Sequence, residues 1–172
     1  AHYLIDTDGS TSLTVPTDRV SSHVRGHNSS SVGIETVGRA TRFDPNGDLR
    51  AQVEQMDMAP PIKDELLAMS DRELRRTLRD NGWAAYGDIT GPQKRANWNL
   101  VGALTEDHSL DVTDDVHAHE HLQAKTLGEG ENIERMIDAM HAWPGRLDQL
   151  EATIAQRQAA GEDVADLQAL LT

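Results

Sequence analysis

Apolar positions along this chain switch between a spacing of two and a spacing of three to four, and each switch marks a change of element. Tyr3-Leu4-Ile5 is a short apolar run closed by the turn composition Asp6-Thr7-Asp8-Gly9, and Ser12 to Val15 reads as the returning strand of a hairpin. Ser21 to Ser31 has the Ser, His, Gly and Asn content of a loop, and the β-branched alternation of Ser31 to Gly38 predicts a buried strand. Asp44-Pro45-Asn46-Gly47-Asp48 is a turn. From there the spacing is helical. Leu49, Val53 and Met56 precede a stop at Pro60-Pro61, and Ile62, Leu66 and Leu67 begin a second helix. Ser70-Asp71-Arg72-Glu73 is a capping box opening a third, with Leu74 and Leu78 inward and Gly82 as its stop. Thr90-Gly91-Pro92 opens a fourth, with Ala96, Leu100 and Leu104 on one face. Asp114 to Gln123 reads as short β or loop, followed by a helix from about Asn132 to His141. Beyond Pro144 the set Leu147, Leu150, Ile154, a break at Gly161, and Val164, Leu167, Leu171 describes two short amphipathic helices.

Charge narrows the possible partners. The 172 residues carry 29 Asp and Glu against 16 Lys and Arg, a net −13, which opposes phosphate backbones and anionic headgroups. A helix-turn-helix reading of the central helices is therefore set aside, and neither nucleic acid nor membrane insertion is expected. With no cysteine, disulfides, thiolate zinc ligands and thiol chemistry are excluded. Lys63, Lys94 and Lys125 are the only lysines. No signal peptide is visible. The chain opens at Ala1 directly in strand-like sequence, which predicts missing upstream residues.

Eight histidines are the outlying polar signal. Three alternate in His117-Ala118-His119-Glu120-His121, and two lie in His23-Val24-Arg25-Gly26-His27-Asn28. Alternate residues of an extended segment project to one side, and neutral imidazole is a common zinc ligand. The same pattern also describes solvated loop histidines, and the spacing alone leaves both readings open.

Order and context add a resemblance. His2 to Gly9, Val15-Pro16, Arg19-Val20, His23, Gly26-His27-Asn28 and Ser31-Val32-Gly33-Ile34-Glu35 together resemble the central part of the zinc-dependent N-acetylmuramoyl-L-alanine amidases, whose fold is shared with peptidoglycan recognition proteins. His119-Glu120-His121-Leu122-Gln123-Ala124-Lys125-Thr126 looks like that family's second half, with Gln93 to Leu104 as the preceding helix. The resemblance implies that His119 is a zinc ligand, Lys125 stabilises the oxyanion, and Glu35 is the catalytic base. It implies that His23, with His27 and Asn28 beside it, lines the substrate cleft.

The departures are specific. The family's first zinc ligand lies on a strand upstream of His2, and the third falls here on Leu127, which cannot bind zinc. Glu129 or Glu131 would have to substitute, and His117 or His121 could join a rearranged site. The position of a catalytic Tyr in some members is Ala1. Each residue also has a plainer reading. Glu35 would be a strand-end carboxylate, Lys125 a surface lysine, and His2 a structural strand histidine. His108 and His141 would be surface residues, and Trp83, Trp98 and Trp143 core or interface anchors.

The expected fold is α/β, a central mixed sheet flanked by helices, with an amidase-like domain over residues 1–143 and a helical tail over 144–172. Within it, residues 44–90 form a helical insert without a counterpart in the family. The expected function is zinc-assisted hydrolysis of the N-acetylmuramoyl-L-alanine bond by a phage lysin or virion-associated lytic protein, extracellular or on the virion, with peptidoglycan or another cell-surface polymer as partner. The alternative is a non-catalytic tail or baseplate component that contacts other virion proteins and has a decayed zinc site.

Overall fold

The computed structural model describes residues 1–23, 25–38, 40–118 and 131–171, without the side chains of residues 131 and 132. Strand β1 (Tyr3–Ile5) lies at the centre of a three-stranded mixed sheet. It pairs antiparallel with β2 (Thr11–Leu13) and parallel with β3 (Ile34–Thr36), in register Tyr3 with Ile34, Leu4 with Glu35 and Ile5 with Thr36. The hairpin turn closes through the Gly9 amide donating to the Asp6 carbonyl. Gly9 has φ +84°, and a Cβ there would stand 2.7 Å from the Pro92 carbonyl oxygen, so a larger residue would push the turn off the helix beneath it. The segment 31–38 is strand only at Ile34–Thr36 and is not buried on both faces: Glu35 is exposed. A helix packs against one face of this small sheet.

That helix is α4 (Gly91–His108), begun by a Thr90 capping box with Gln93 and by Pro92 in the first turn. Its buried residues are Gln93, Asn97, Trp98, Val101, Gly102 and Thr105, whereas the expected inner residues Ala96, Leu100 and Leu104 are only half-buried. The pattern misled because the face toward the sheet is polar and fully paired. Gln93 Nε2 donates to the Val37 carbonyl at 2.7 Å, Asn97 Nδ2 to the Gln93 carbonyl at 2.9 Å, and Thr36 Oγ1 to Asn97 Oδ1 at 3.0 Å. Buried amides are tolerated where such bonds replace water.

Beyond α4 come α5 (Val112–Asp115), α6 (Glu131–Ala142), α7 (Leu147–Ala159) and α8 (Ala165–Ala169). The start of the expected β or loop segment at Asp114 is instead the end of a helical turn, capped by Asp111, whose carboxylate accepts the Thr113 and Asp114 amides. The helical tail supplies Leu147, Leu150, Ile154 and Val164 to one apolar cluster with Trp98, Val101, Met136 and Met140.

Between β3 and α4 the chain makes a second unit. Strands β4 (Ala40–Arg42) and β5 (Ala84–Tyr86) pair antiparallel, and the Phe43 amide donating to the Trp83 carbonyl continues the ladder. The intervening α1 (Leu49–Gln55), α2 (Pro60–Ala68) and α3 (Asp71–Asp80) bury Val53, Met58, Leu66, Leu74 and Leu78 in a cluster that shares no residue with the first. α1 ends well before Pro60-Pro61, which stand instead in the first turn of α2. The α3 capping box forms as expected, with Glu73 accepting from the Ser70 amide at 3.0 Å. Arg50 ties the three helices together. Its Nε donates to Asp71 at 2.7 Å, and its two terminal nitrogens donate to the Leu67 and Met69 carbonyls, which the end of α2 leaves without helical partners.

Candidate functional site

Thr36 reaches Asn97, and Ile34 packs into the α4 cluster, so alternation along β3 turns Glu35 to the face of the sheet opposite α4. Leu4, its register partner, faces the same way, as do His2 and Gly33 by the same alternation. This face collects the residues that the sequence picks out from the first half of the chain.

His2 is buried at 1% exposure and works as a structural pin. Its Nδ1 accepts the Gly33 amide at 3.0 Å, so its proton sits on Nε2, which donates to the Arg19 carbonyl at 2.8 Å. Both ring nitrogens are engaged. The imidazole thereby joins the start of β1 to the start of β3 and to the loop between β2 and β3.

His23 lies on the same face, over Gly33. A Cβ at position 33 would stand 2.4 Å from His23 Cγ, so the ring occupies space that only glycine leaves. Its edge meets the His2 ring at a centroid distance of 5.4 Å and an interplanar angle of 70°. Nδ1 lies 2.6 Å from the Ser21 carbonyl, which can only accept, so Nδ1 carries the proton. Burial of the ring holds its pKa below the ordinary 6.5, outweighing the Ser21 bond that pulls upward, and the nearby His2 and N-terminal amine push in the same downward direction. A neutral ring leaves Nε2 as an acceptor for the Ser31 hydroxyl, 2.9 Å away.

That hydroxyl also lies 2.8 Å from the His27 carbonyl, and it has one proton for the two acceptors. With His23 neutral the proton serves Nε2. With His23 charged, Nε2 donates to Oγ and the hydroxyl turns to His27. Asn28 closes the loop from the other side, its Oδ1 accepting the His23 amide at 2.9 Å. His23, His27 and Asn28 are thus brought together, though by backbone and ring contacts within one loop; the His27 side chain itself is exposed. Ser21, Ser31 and Gly33 belong to this arrangement as much as the histidine does. Their sequence signal was the Ser31-Val32-Gly33 run before Glu35, which resembles the family without revealing what the small residues make room for.

Glu35 is exposed in mid-strand, and no hydrogen bond or ion pair holds its carboxylate among the described residues. Its backbone is set by the ladder to β1 and by the α4 amide network behind it. A broad depression lined by Asp8, Gly9, Pro92, Arg95, Leu100 and Arg146 lies between the hairpin turn and α4 instead, and it contains none of these residues.

The expected metal donors fare differently. His119, His121 and Glu129, like Lys125, lie outside the described residues. His117 follows α5 and is exposed. Zinc requires three or four donors with free lone pairs. Among the described residues no group of three His, Asp or Glu side chains is placed to hold a metal ion, and the rings of His2 and His23 have both nitrogens committed. The described residues by themselves do not fit a zinc centre.

A family model for N-acetylmuramoyl-L-alanine amidases matches residues 1–131, which takes in the three-stranded sheet, the unit of β4, β5 and α1 to α3, α4 and the histidine-rich segment. No curated protein and no solved structure matches the chain.

Proposed function

The chain belongs to the N-acetylmuramoyl-L-alanine amidase family, and from that membership, which implies a peptidoglycan substrate, we propose that it cleaves the amide between N-acetylmuramic acid and L-alanine as a phage lysin or virion-associated lytic protein. The observation that carries the reading is the sheet face opposite α4, which Glu35 shares with His2 and the His23 ring over Gly33. There Glu35 takes a proton from the attacking water as its oxygen bonds to the lactyl carbonyl carbon, and passes that proton to the departing alanine nitrogen. The products are a lactyl carboxylate and a free α-amino group. Lys125 is assigned to the carbonyl oxygen as negative charge develops on it. His23, fixed by Ser21 and Ser31, offers a neutral edge to the substrate, with His27 and Asn28 forming the cleft wall. The zinc donors assigned are His119 with Glu129, His117 or His121, and a bound ion would supply Lewis-acid chemistry. Among the described residues no helix is long and apolar enough to cross a membrane, which accords with an extracellular or virion-associated site of action.

The test is dye release from labelled peptidoglycan by the full chain, with and without chelator, alongside measurement of bound zinc and of new alanine amino groups. Glu35→Gln is expected to lower kcat by about 10²- to 10⁴-fold. Absence of both zinc and dye release, or an unchanged rate in Glu35→Gln and Lys125→Ala, overturns the proposal.

The committed ring nitrogens of His2 and His23, together with Leu127 at the third ligand position, favour one second reading. In it the chain is a binding or structural component of a tail or baseplate, and it retains the family's grip on peptidoglycan without cleaving it. Retention on cell walls with no release of amino groups, together with recovery in assembled particles, would select it.

A further inference from the structure

The insert carries a charge pattern that the amidase reading does not use. Helix α3 holds Arg72, Arg75, Arg76 and Arg79, all exposed, in a chain whose net charge is −13. At 3.6 residues per turn the four fall within an arc of about 100°, on the side away from the buried Leu74 and Leu78. Their side chains border a shallow depression with Ser70 and Glu73.

The acidic residues of the same helix are already committed. Asp71 accepts from Arg50 at 2.7 Å, Glu73 accepts the Ser70 hydroxyl at 2.6 Å in the capping box, and Asp80 pairs with Arg79 at 3.0 Å. Arg75 is aimed by one bond from Nη1 to the Pro45 carbonyl at 2.7 Å. Arg72 makes no hydrogen bond or ion pair among the described residues; Arg76 makes no hydrogen bond there, and its charge adds to the Ser70 hydrogen bonds that hold the neighbouring Glu73 carboxyl below the usual carboxylate range. Guanidinium groups present a planar fork that matches a phosphate. With a rise of 1.5 Å per residue, Arg72, Arg76 and Arg79 are stepped along the axis by roughly 6 Å and roughly 10 Å, which suits a string of anionic groups better than a single ion.

We propose that this arginine face binds a phosphate-bearing anionic polymer of the cell wall, holding the domain against the wall that contains its substrate. The inference rests on the reading that the chain acts on peptidoglycan. A flexible polymer of modest charge density can follow the stripe while avoiding the acidic remainder of the surface; a stiff, densely charged nucleic acid cannot.

The experiment measures retention of the full chain at low salt on wall fragments that keep their phosphate polymers and on the same walls stripped of phosphate by acid. The Arg72→Gln/Arg76→Gln variant is expected to bind intact walls roughly tenfold more weakly than the native chain. Stripping should cost the native chain a similar factor, and added salt should weaken its binding to intact walls. Equal retention of variant and native chain on intact walls, or of the native chain on both walls, overturns the proposal. So does displacement by polyuridylate at lower phosphate concentration than poly(glycerol phosphate), which would make nucleic acid the better occupant. Both substitutions are on the surface, and an unchanged thermal midpoint verifies the fold; Arg76→Gln alone provides the same readout with half the charge removed. Dye release on stripped walls is expected to be equal for native chain and variant. Its absence in both would sink the amidase reading while leaving the retention result to stand or fall on its own.

Discussion

Gly33→Ala puts a methyl group where His23 already lies. The new Cβ would be 2.4 Å from Cγ, 2.6 Å from Cδ2 and 2.9 Å from Cβ of that residue, well inside the roughly 3.5–4.0 Å at which carbon pairs rest. The strand has little freedom to yield. The Gly33 amide is bound to His2 Nδ1, and its carbonyl accepts from the His2 and Tyr3 amides. The ring must therefore swing outward, which takes Nδ1 away from the Ser21 carbonyl and Nε2 away from Ser31 Oγ. Two hydrogen bonds at about 0.5–1.5 kcal/mol each give an expected destabilisation of about 1–3 kcal/mol. Denaturant titration should show a lower midpoint with an unchanged slope. Because the clash is with one side chain, Cβ included, the same substitution in a His23→Gly background should cost under about 0.5 kcal/mol, and the difference is the coupling energy of the pair. A ring released toward solvent should also titrate closer to 6.5, as followed by NMR. A cost below about 0.5 kcal/mol in the native background, or an equal cost with and without His23, would refute the assignment of Gly33 as the floor beneath that ring.

Acid should weaken the fold through the same residue. The folded pKa of His23 is depressed below 6.5, so the unfolded chain takes up the proton first; stability is complete above about pH 6.5 and declines as pH falls below it. Urea midpoints at about pH 8 and about pH 5.5 measure this, and His23→Ala should flatten that part of the profile. Trp98→Ala tests the core behind the site. Trp98 is fully buried and donates from Nε1 to the Gly145 carbonyl at 2.9 Å, and its truncation should cost about 3–5 kcal/mol. A thermal midpoint close to that of the native chain would show that α4 and the tail do not share one core.

The elements were legible where one local rule decided them. The Ser70 capping box, the helix opening at Thr90-Gly91-Pro92, the Asp6–Gly9 turn and the helical spacing of Leu147, Leu150 and Ile154 depend on neighbours within a few residues, and each is present. Burial was less legible, because it depends on partners distant in the chain. Gln93 and Asn97 are buried because Val37 and Thr36 bond to them, whereas Ala96 and Leu100, expected together on one face, line an open depression. On the site face, the resemblance picked out Glu35 and His23 but not the reason for Gly33, since a missing side chain has meaning only once another ring is found in its place. The pinning role of His2 was anticipated in kind, yet its tautomer follows only from which group faces each nitrogen.

Ala40 faces Tyr86 and Arg42 faces Ala84 in the β4–β5 ladder, so the chain leaves for α1 to α3 and returns from them at points about 5 Å apart. For the remainder of the fold, everything from Phe43 to Trp83 is an excursion of no net length. A tight turn closes the same kind of ladder, so the excursion can be lengthened, exchanged or lost while β3 and α4 keep their paths. The arginine face sits on that replaceable part and Glu35 on the permanent one. Changes confined to that excursion can therefore alter the surface the chain presents without disturbing the register that sets Glu35.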